Sequence, residues 1–195
     1  KEQGFDAVEI NAAGNNVGQA FFSRQRNHRE DEYGPQSFEN RARFVGEIVA
    51  GIKEACGSDF PVQILINGIE ENDIELGEAS LSTTVEENCE ICKVLENYGA
   101  DSRHVRLGVF RMHVNQFASD LYFTGYGIEG TAANGAQFDF SRHFQGKLLA
   151  NHSGCGMMLN VAKQIKDAVS IPVGTVTYMD PAHAPKMFED ALKDG

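Results

Sequence analysis

No apolar run in this 195-residue sequence approaches the roughly 20 residues that a membrane-spanning helix needs, and no signal-peptide pattern is present. Cations are scarce as well. Seventeen Lys and Arg stand against 28 Asp and Glu, leaving a formal net charge of −11 and a pI near 4.9. A phosphate backbone or an anionic membrane surface needs clustered Lys and Arg, so neither nucleic acid nor membrane is an expected partner. Cys56, Cys89, Cys92 and Cys155 make no recognisable disulfide framework, which points to a reducing, cytoplasmic setting. Cys89 and Cys92 have CxxC spacing but fall inside an expected helix without a second pair. They read as buried small apolar side chains, and no metal site is expected. Internal repeats beyond a strand–helix unit, low-complexity tracts and linkers are missing too. Paired catalytic carboxylates and a metal cluster cannot be placed, which leaves a lyase or hydrolase without its machinery.

What is present is a 42% hydrophobic chain whose apolar periodicity alternates between strand and helix, the pattern of a parallel sheet with helices outside. A strand is expected at about 7–11, with its helix starting after Ser37 as N-cap. Phe44, Val45, Ile48, Val49 and Ile52 form one face of that helix, and Gly57 ends it. The continuously apolar run 62–66 reads as a strand covered on both sides. Thr83 and Glu86 form a capping box for the next helix, whose stripe is Ile91, Val94, Leu95 and Tyr98, with Gly99 as the stop. A third strand near 103–107 leads into a long aperiodic segment rich in Gly, Phe, Tyr, Asn and His, the kind of length usually kept for a functional lid or for disorder. A helix over about 157–169 follows, with Met158, Val161, Ala162, Ile165 and Ala168 on one side. A strand at 173–177 comes next. Asp180 and Pro181 then open a final helix as N-cap and N1, with Pro185 making its first turns irregular.

The most specific stretch is Asn27-His28-Arg29-Glu30-Asp31-Glu32-Tyr33-Gly34, followed by Ser37-Phe38-Glu39-Asn40-Arg41-Ala42-Arg43-Phe44. With Gly4-Phe5-Asp6-Ala7-Val8-Glu9-Ile10 before it and Asp59-Phe60-Pro61-Val62 after it, this stretch closely resembles the FMN-dependent NADH:flavin oxidoreductases related to old yellow enzyme. The nearest branch is that of trimethylamine dehydrogenase, dienoyl-CoA reductase and bile-acid oxidoreductase. The resemblance covers most of the chain and is weakest over 109–156. It implies an α/β fold, the (β/α)8 TIM barrel. A complete barrel takes about 250 residues, so residues 1–195 are expected to be one incomplete barrel domain. It would hold about four β/α units from the middle and later part of the barrel.

Active sites of such barrels lie at the carboxyl ends of the strands, which here are 11–16, 67–70, 106–113 and 174–178. At the first of these the resemblance implies a substrate-anchoring pair and a proton-donating Tyr, and this chain carries Asn11, Gly14 and Asn16 there. An amide can donate to a developing oxyanion, but it does not titrate near neutrality and cannot serve as a general acid. The alternative is that these Asn residues cap loop backbone. Relatives place an Arg against the flavin where this chain has Leu65. Arg106 is the candidate substitute, with Arg111 and His113 following it in sequence. A surface ion pair for Arg111 and a plain polar loop role for His113 stand as alternatives.

Asn67, Gly174, Thr175, Thr177 and Tyr178 are the cofactor-binding candidates, the last four on the segment that in relatives binds the FMN phosphate through backbone N–H groups. Arg29, Asp31, Glu39 and Arg41 read as scaffold, tying the long β/α loop to its helix. The resemblance thus implies FMN, with NADH or NADPH as electron donor, in an oxidoreductase moving hydride to or from an enone, enoyl or amine-type small molecule. A 4Fe-4S cluster and FAD would lie only outside these residues. Expected partners are the small-molecule substrate, the remainder of the barrel and, through open strand edges, a second copy of the chain. The rival reading, favoured by the substitutions at Asn11, Gly14, Asn16, Leu65 and Thr177, is a degenerate barrel serving as a binding or assembly module.

Overall fold

The computed structural model describes residues 3–14, 16–68, 70, 81, 83–106, 158–176 and 184–193. In chain order the elements are β1 (Val8–Ala12), α1 (Val17–Phe22), α2 (Phe38–Cys56), β2 (Val62–Asn67), α3 (Val85–Asn97), β3 (Ser102–Arg106), α4 (Leu159–Ala168), β4 (Val173–Thr175) and α5 (Ala184–Lys193). The four strands form one sheet in the order β1-β2-β3-β4, and every pairing is parallel. Sequential parallel strands joined through helices are an arc of a β/α barrel.

The register divides the sheet into two faces, because side chains alternate along a strand. Ala12, Val62, Ile64, Ile66 and Val105 share one face and join the buried core with Val45, Val49, Ile91, Leu95, Val161 and Ile165 of the helices. The opposite face, inner in a barrel, carries three rows in register. Glu9 lies beside Gln63 and Ser102; Asn11 beside Leu65, His104 and Gly174; Asn67 beside Arg106. This face is largely polar, so it is not a second hydrophobic interface.

Ser37 caps α2 by accepting from the Asn40 N–H, and Gly57 at φ 101° closes it, a backbone conformation that favours glycine. On α2 the expected Val45 and Val49 are buried and Phe44 and Ile52 pack partly buried against the core, but Ile48 is 38% exposed, and Arg41, Ala42 and Gly46 extend the buried face on the other side. On that side lies α1, a six-residue helix that periodicity did not reveal and that packs against α2. The capping box of α3 also sits one residue later than expected, on Thr84 and Glu87 rather than Thr83 and Glu86. Thr83 is taken elsewhere, since its hydroxyl donates to Glu70 and accepts from Arg41.

On α3 the buried residues are Val85, Asn88, Ile91, Cys92 and Leu95, with Val94 and Tyr98 partly buried at the core's edge. Burial pushes the Cys92 thiol up to about 11 and raises that of half-buried Cys89, so neither presents a reactive thiolate near neutrality. Val161, Ala162 and Ile165 of α4 are buried as the periodicity predicts. Helix α5 carries Pro185 in its first turn, a position that needs no backbone donor. Asp180, Pro181 and the long segment after β3 lie outside the described residues. Among the described residues, no helix is long and apolar enough to cross a membrane.

Candidate active site at the carboxyl end of the sheet

The strand ends are held together by side chains that bond backbone across strands. Asn11 Oδ1 accepts from the Ala13 N–H at 3.2 Å, folding the chain over directly after β1. Gly14, at φ 66°, then donates its N–H to Asn67 Oδ1 at 3.0 Å, locking the β1 turn to the end of β2. Gly68 N–H donates to the Arg106 carbonyl at 2.7 Å, and its own carbonyl accepts from Asn88 Nδ2 at 2.9 Å. The two turns are thus fixed before any ligand arrives.

Within this frame, the candidate residues divide. Asn11, Asn67, Arg106 and Gly174 all stand on the inner face. Asn67 is 4% exposed, and among the described residues its Nδ2 finds no hydrogen-bond partner. Burial pushes the Arg106 guanidinium below its ordinary value, a sign of partial desolvation at the strand end. Asn16 is the exposed N-cap residue of α1 and makes no side-chain cap bond. Thr175 lies on the helix-facing side, where its hydroxyl donates to the Val105 carbonyl at 2.9 Å. His113, Thr177 and Tyr178 lie outside the described residues. Leu65 is flanked in register by Asn11 and His104, and His104 Nδ1 lies 2.9 Å from Glu9 Oε2, bridging β1 and β3 across β2.

Sequence reasoning missed a second polar assembly, behind the strand ends. The carboxylate of Glu70, 6% exposed, accepts from Gln19 Nε2, from Ser23 Oγ at 3.0 Å, and from the Thr83 N–H at 2.9 Å and its hydroxyl at 2.8 Å. The Glu70 N–H donates to the Thr83 carbonyl at 2.9 Å, so the two ends of the β2–α3 connection are pinned together. Arg41, 2% exposed, extends the assembly through Nε to the Phe22 carbonyl at 2.6 Å, Nη2 to Thr83 Oγ1 at 3.0 Å and Nη1 to Glu87 at 3.4 Å. No periodic signal announces such residues, because their partners lie far away in sequence.

The Asn27–Tyr33 stretch is scaffold in this structure. Asn27 Nδ2 donates to the carbonyls of Phe21 and Tyr33 at 3.0 and 2.7 Å, its Oδ1 accepts from the Arg29 N–H at 3.1 Å, and Arg29 pairs with Asp31.

The family model for the NADH:flavin oxidoreductase / NADH oxidase family matches residues 1–108, which contain β1 to β3 and the contacts that join their carboxyl ends. The chain belongs to that family. Among its members, the "NADH oxidase" of Thermoanaerobacter brockii is 31% identical over 192 residues, covering 97% of this chain and 23% of that protein. The "NADH:flavin oxidoreductase" of Gibberella zeae is 36% identical over 197 residues, covering 98% of this chain and 39% of that protein. The chain therefore spans about a quarter to two fifths of these relatives. In the solved structures, the old yellow enzyme homologue from Zymomonas mobilis superposes with a TM-score of 0.55 at 16% identity, covering 97% of this chain and 41% of that one. That likeness bears on fold alone, and the fold is a partial β/α barrel of the old yellow enzyme type.

The residues present fit the flavin of an NADH:flavin oxidoreductase. A planar ring with acceptor atoms along its edges needs donors and a flat place to lie. The Asn67 Nδ2, buried without a hydrogen-bond partner among the described residues, is such a donor. At Gly174 an added Cβ would meet, among the described residues, only the Arg103 carbonyl oxygen at 3.9 Å.

Proposed function

We propose that this chain supplies the inner wall of an FMN-dependent, NAD(P)H-linked oxidoreductase that transfers hydride to or from an enone, enoyl or amine-type small molecule. The observation that carries the reading is the row of strand-end donors on the inner face, in a chain of the NADH:flavin oxidoreductase family. When bound, FMN supplies the hydride chemistry, and the protein supplies orientation and charge.

Asn11 anchors the substrate. Its Oδ1 is occupied by the Ala13 N–H, which turns Nδ2 into the group available to a substrate oxygen, where it stabilises developing negative charge. Asn16, one turn beyond, is a second amide of the same kind. Neither can release a proton near neutral pH. His104, held at Nδ1 by Glu9, and His113, in the sequence after β3, are the candidates for that step. Asn67 and Arg106 carry the positive end of the site, while the run of Gly174, Thr175, Thr177 and Tyr178 receives the phosphate end of the cofactor, chiefly through backbone N–H groups. The compartment is the cytoplasm, in keeping with the free thiols of Cys56, Cys89 and Cys92.

Leu65 is the observation that favours the rival reading, a barrel retained for binding or assembly, because an apolar side chain occupies the middle of the inner face between Asn11 and His104. Anaerobic reduction separates the two. The full protein carrying these residues, incubated with FMN and freed of excess, is expected to show flavin absorption that NADH or NADPH bleaches and an α,β-unsaturated carbonyl compound restores. A folded protein that retains no FMN would support the binding module instead.

A further inference from the structure

His104 and Glu9 face each other across β2 on the inner side of the sheet. His104 Nδ1 lies 2.9 Å from Glu9 Oε2, so a bridge runs obliquely from the row of Asn11, Leu65, His104 and Gly174 down to the row of Glu9, Gln63 and Ser102. Among the described strands, Glu9 is the only carboxylate on this face. Its row neighbours are occupied with each other, since Gln63 Nε2 donates to Ser102 Oγ at 3.1 Å. No described residue bonds the second ring nitrogen of His104, Nε2, and the side chain is 29% exposed, open to a ligand on this face. A carboxylate at one ring nitrogen fixes the ring and leaves the other nitrogen for a ligand.

The upper row has an order. From β1 to β4 it reads Asn11, Leu65, His104 and Gly174, with neighbouring strands about 4.8 Å apart. Asn11 offers an amide donor to a substrate oxygen, Leu65 an apolar floor, His104 a ring nitrogen, and Gly174 the open part of the face given to the flavin. In an α,β-unsaturated carbonyl compound the reacting atoms come in the same order: oxygen, then Cα, then Cβ. A molecule whose oxygen is held at Asn11 and whose Cβ points toward Gly174 therefore carries its Cα past His104.

We propose that His104 Nε2 is the proton donor to the substrate's Cα, with Glu9 as its positioning residue. This rests on the reading of the site as that of a hydride-transferring flavoenzyme. Cβ takes a hydride from the reduced flavin, and the electron pair of the C=C bond moves toward the carbonyl oxygen held by Asn11. That pair then returns to form a C–H bond at Cα as the Nε2–H bond breaks. The ring is left neutral with its Nδ1 proton on Glu9, and Nε2 takes up a fresh proton from water. Asn11 and Asn16 can do neither.

Rapid-mixing kinetics on the full, FMN-loaded protein separate the half-reactions. In His104→Gln, reoxidation of the NADH-reduced flavin by cyclohex-2-enone is expected to slow by about 100-fold or more. Reoxidation by ferricyanide, which takes electrons and needs no proton on carbon, keeps its wild-type rate, a contrast that a general disturbance of the site would not produce. Glu9→Gln keeps an acceptor for Nδ1 but not the charge, and gives the same contrast to a smaller degree. A second readout needs no flavin: nitrogen NMR of the neutral His104 ring is expected to place the proton on Nδ1 in wild type and to show it shared between the two nitrogens in Glu9→Leu. Equal slowing with enone and ferricyanide in His104→Gln would overturn the proposal, as would a wild-type ring protonated on Nε2 alone. A flavin that NADH reduces and the enone reoxidises at the wild-type rate in His104→Gln removes this proposal by itself. A wild-type protein that takes up no FMN, or whose FMN NADH leaves oxidised, removes the underlying reading and the proposal with it.

Discussion

Leucine in place of Glu70 is expected to lower the stability of the fold by about 3–5 kcal/mol, the cost of removing one partner from a buried charged network. The carboxylate is the common acceptor for Gln19, Ser23 and both the N–H and hydroxyl of Thr83. Leucine fills the space but leaves these donors buried and unmatched, each carrying a desolvation penalty of about 1–3 kcal/mol before relaxation. Arg41 also suffers, because Thr83 Oγ1 is one of its few acceptors and burial already disfavours its charge. Glu70→Gln should be milder, since one oxygen survives. Urea denaturation followed by circular dichroism measures the difference, with the midpoint moving and the slope held. A loss under about 1 kcal/mol for Glu70→Leu would mean that the assembly is dispensable and that the β2–α3 connection is held some other way.

The second large effect runs against helix propensity. Gly46 lies in the interior of α2, where Ala is ordinarily better by about 1 kcal/mol. Here the ring of Tyr98 occupies the space: an added Cβ would come within 2.6 Å of Cε2 and 2.7 Å of Cγ, closer than any real contact. Overpacking of this kind costs about 1–3 kcal/mol. The clash reaches the ring's Cγ, next to the Tyr98 backbone, and not only a flexible tip, so Gly46→Ala is expected to destabilise on balance. In a Tyr98→Ala background the same substitution should become neutral or stabilising, because only the propensity gain remains. A thermodynamic cycle over the four proteins checks this. Equal effects of Gly46→Ala in both backgrounds would show that the ring is not the obstacle.

The layout of the fold was open to reading because local rules and global fold agree there. The run from Val62 to Ile66 is apolar since helices and neighbouring strands cover it, and Ser37 and Gly57 bracket α2 for reasons of backbone geometry alone. The one-residue slip of the α3 cap shows where such reading stops. Thr83 and Thr84 are chemically equal as caps, and only the presence of Glu70 and Arg41, 13 and 42 residues away, draws Thr83 out of the role. Helix α1 was missed because six residues carry too little periodicity to register. The site was partly legible through the strand ends, which single out Asn11, Asn67 and Arg106. That Asn67 stands beside Arg106, however, follows only from the β2–β3 register, which no sequence position states.

The central claim is that FMN lies against the inner face of this sheet, and Gly174 gives the most direct access to it. Its missing side chain leaves that part of the face open, so Gly174→Leu adds bulk there while disturbing little else among the described residues. Titrating FMN into the full protein by flavin fluorescence, beside the same titration of Gly174→Leu, is expected to give saturable binding for the first. In the second, binding is weakened by at least about tenfold, equal to some 1.4 kcal/mol, with an unchanged thermal midpoint. Undiminished FMN binding by a folded Gly174→Leu would contradict the account and move the cofactor off this face.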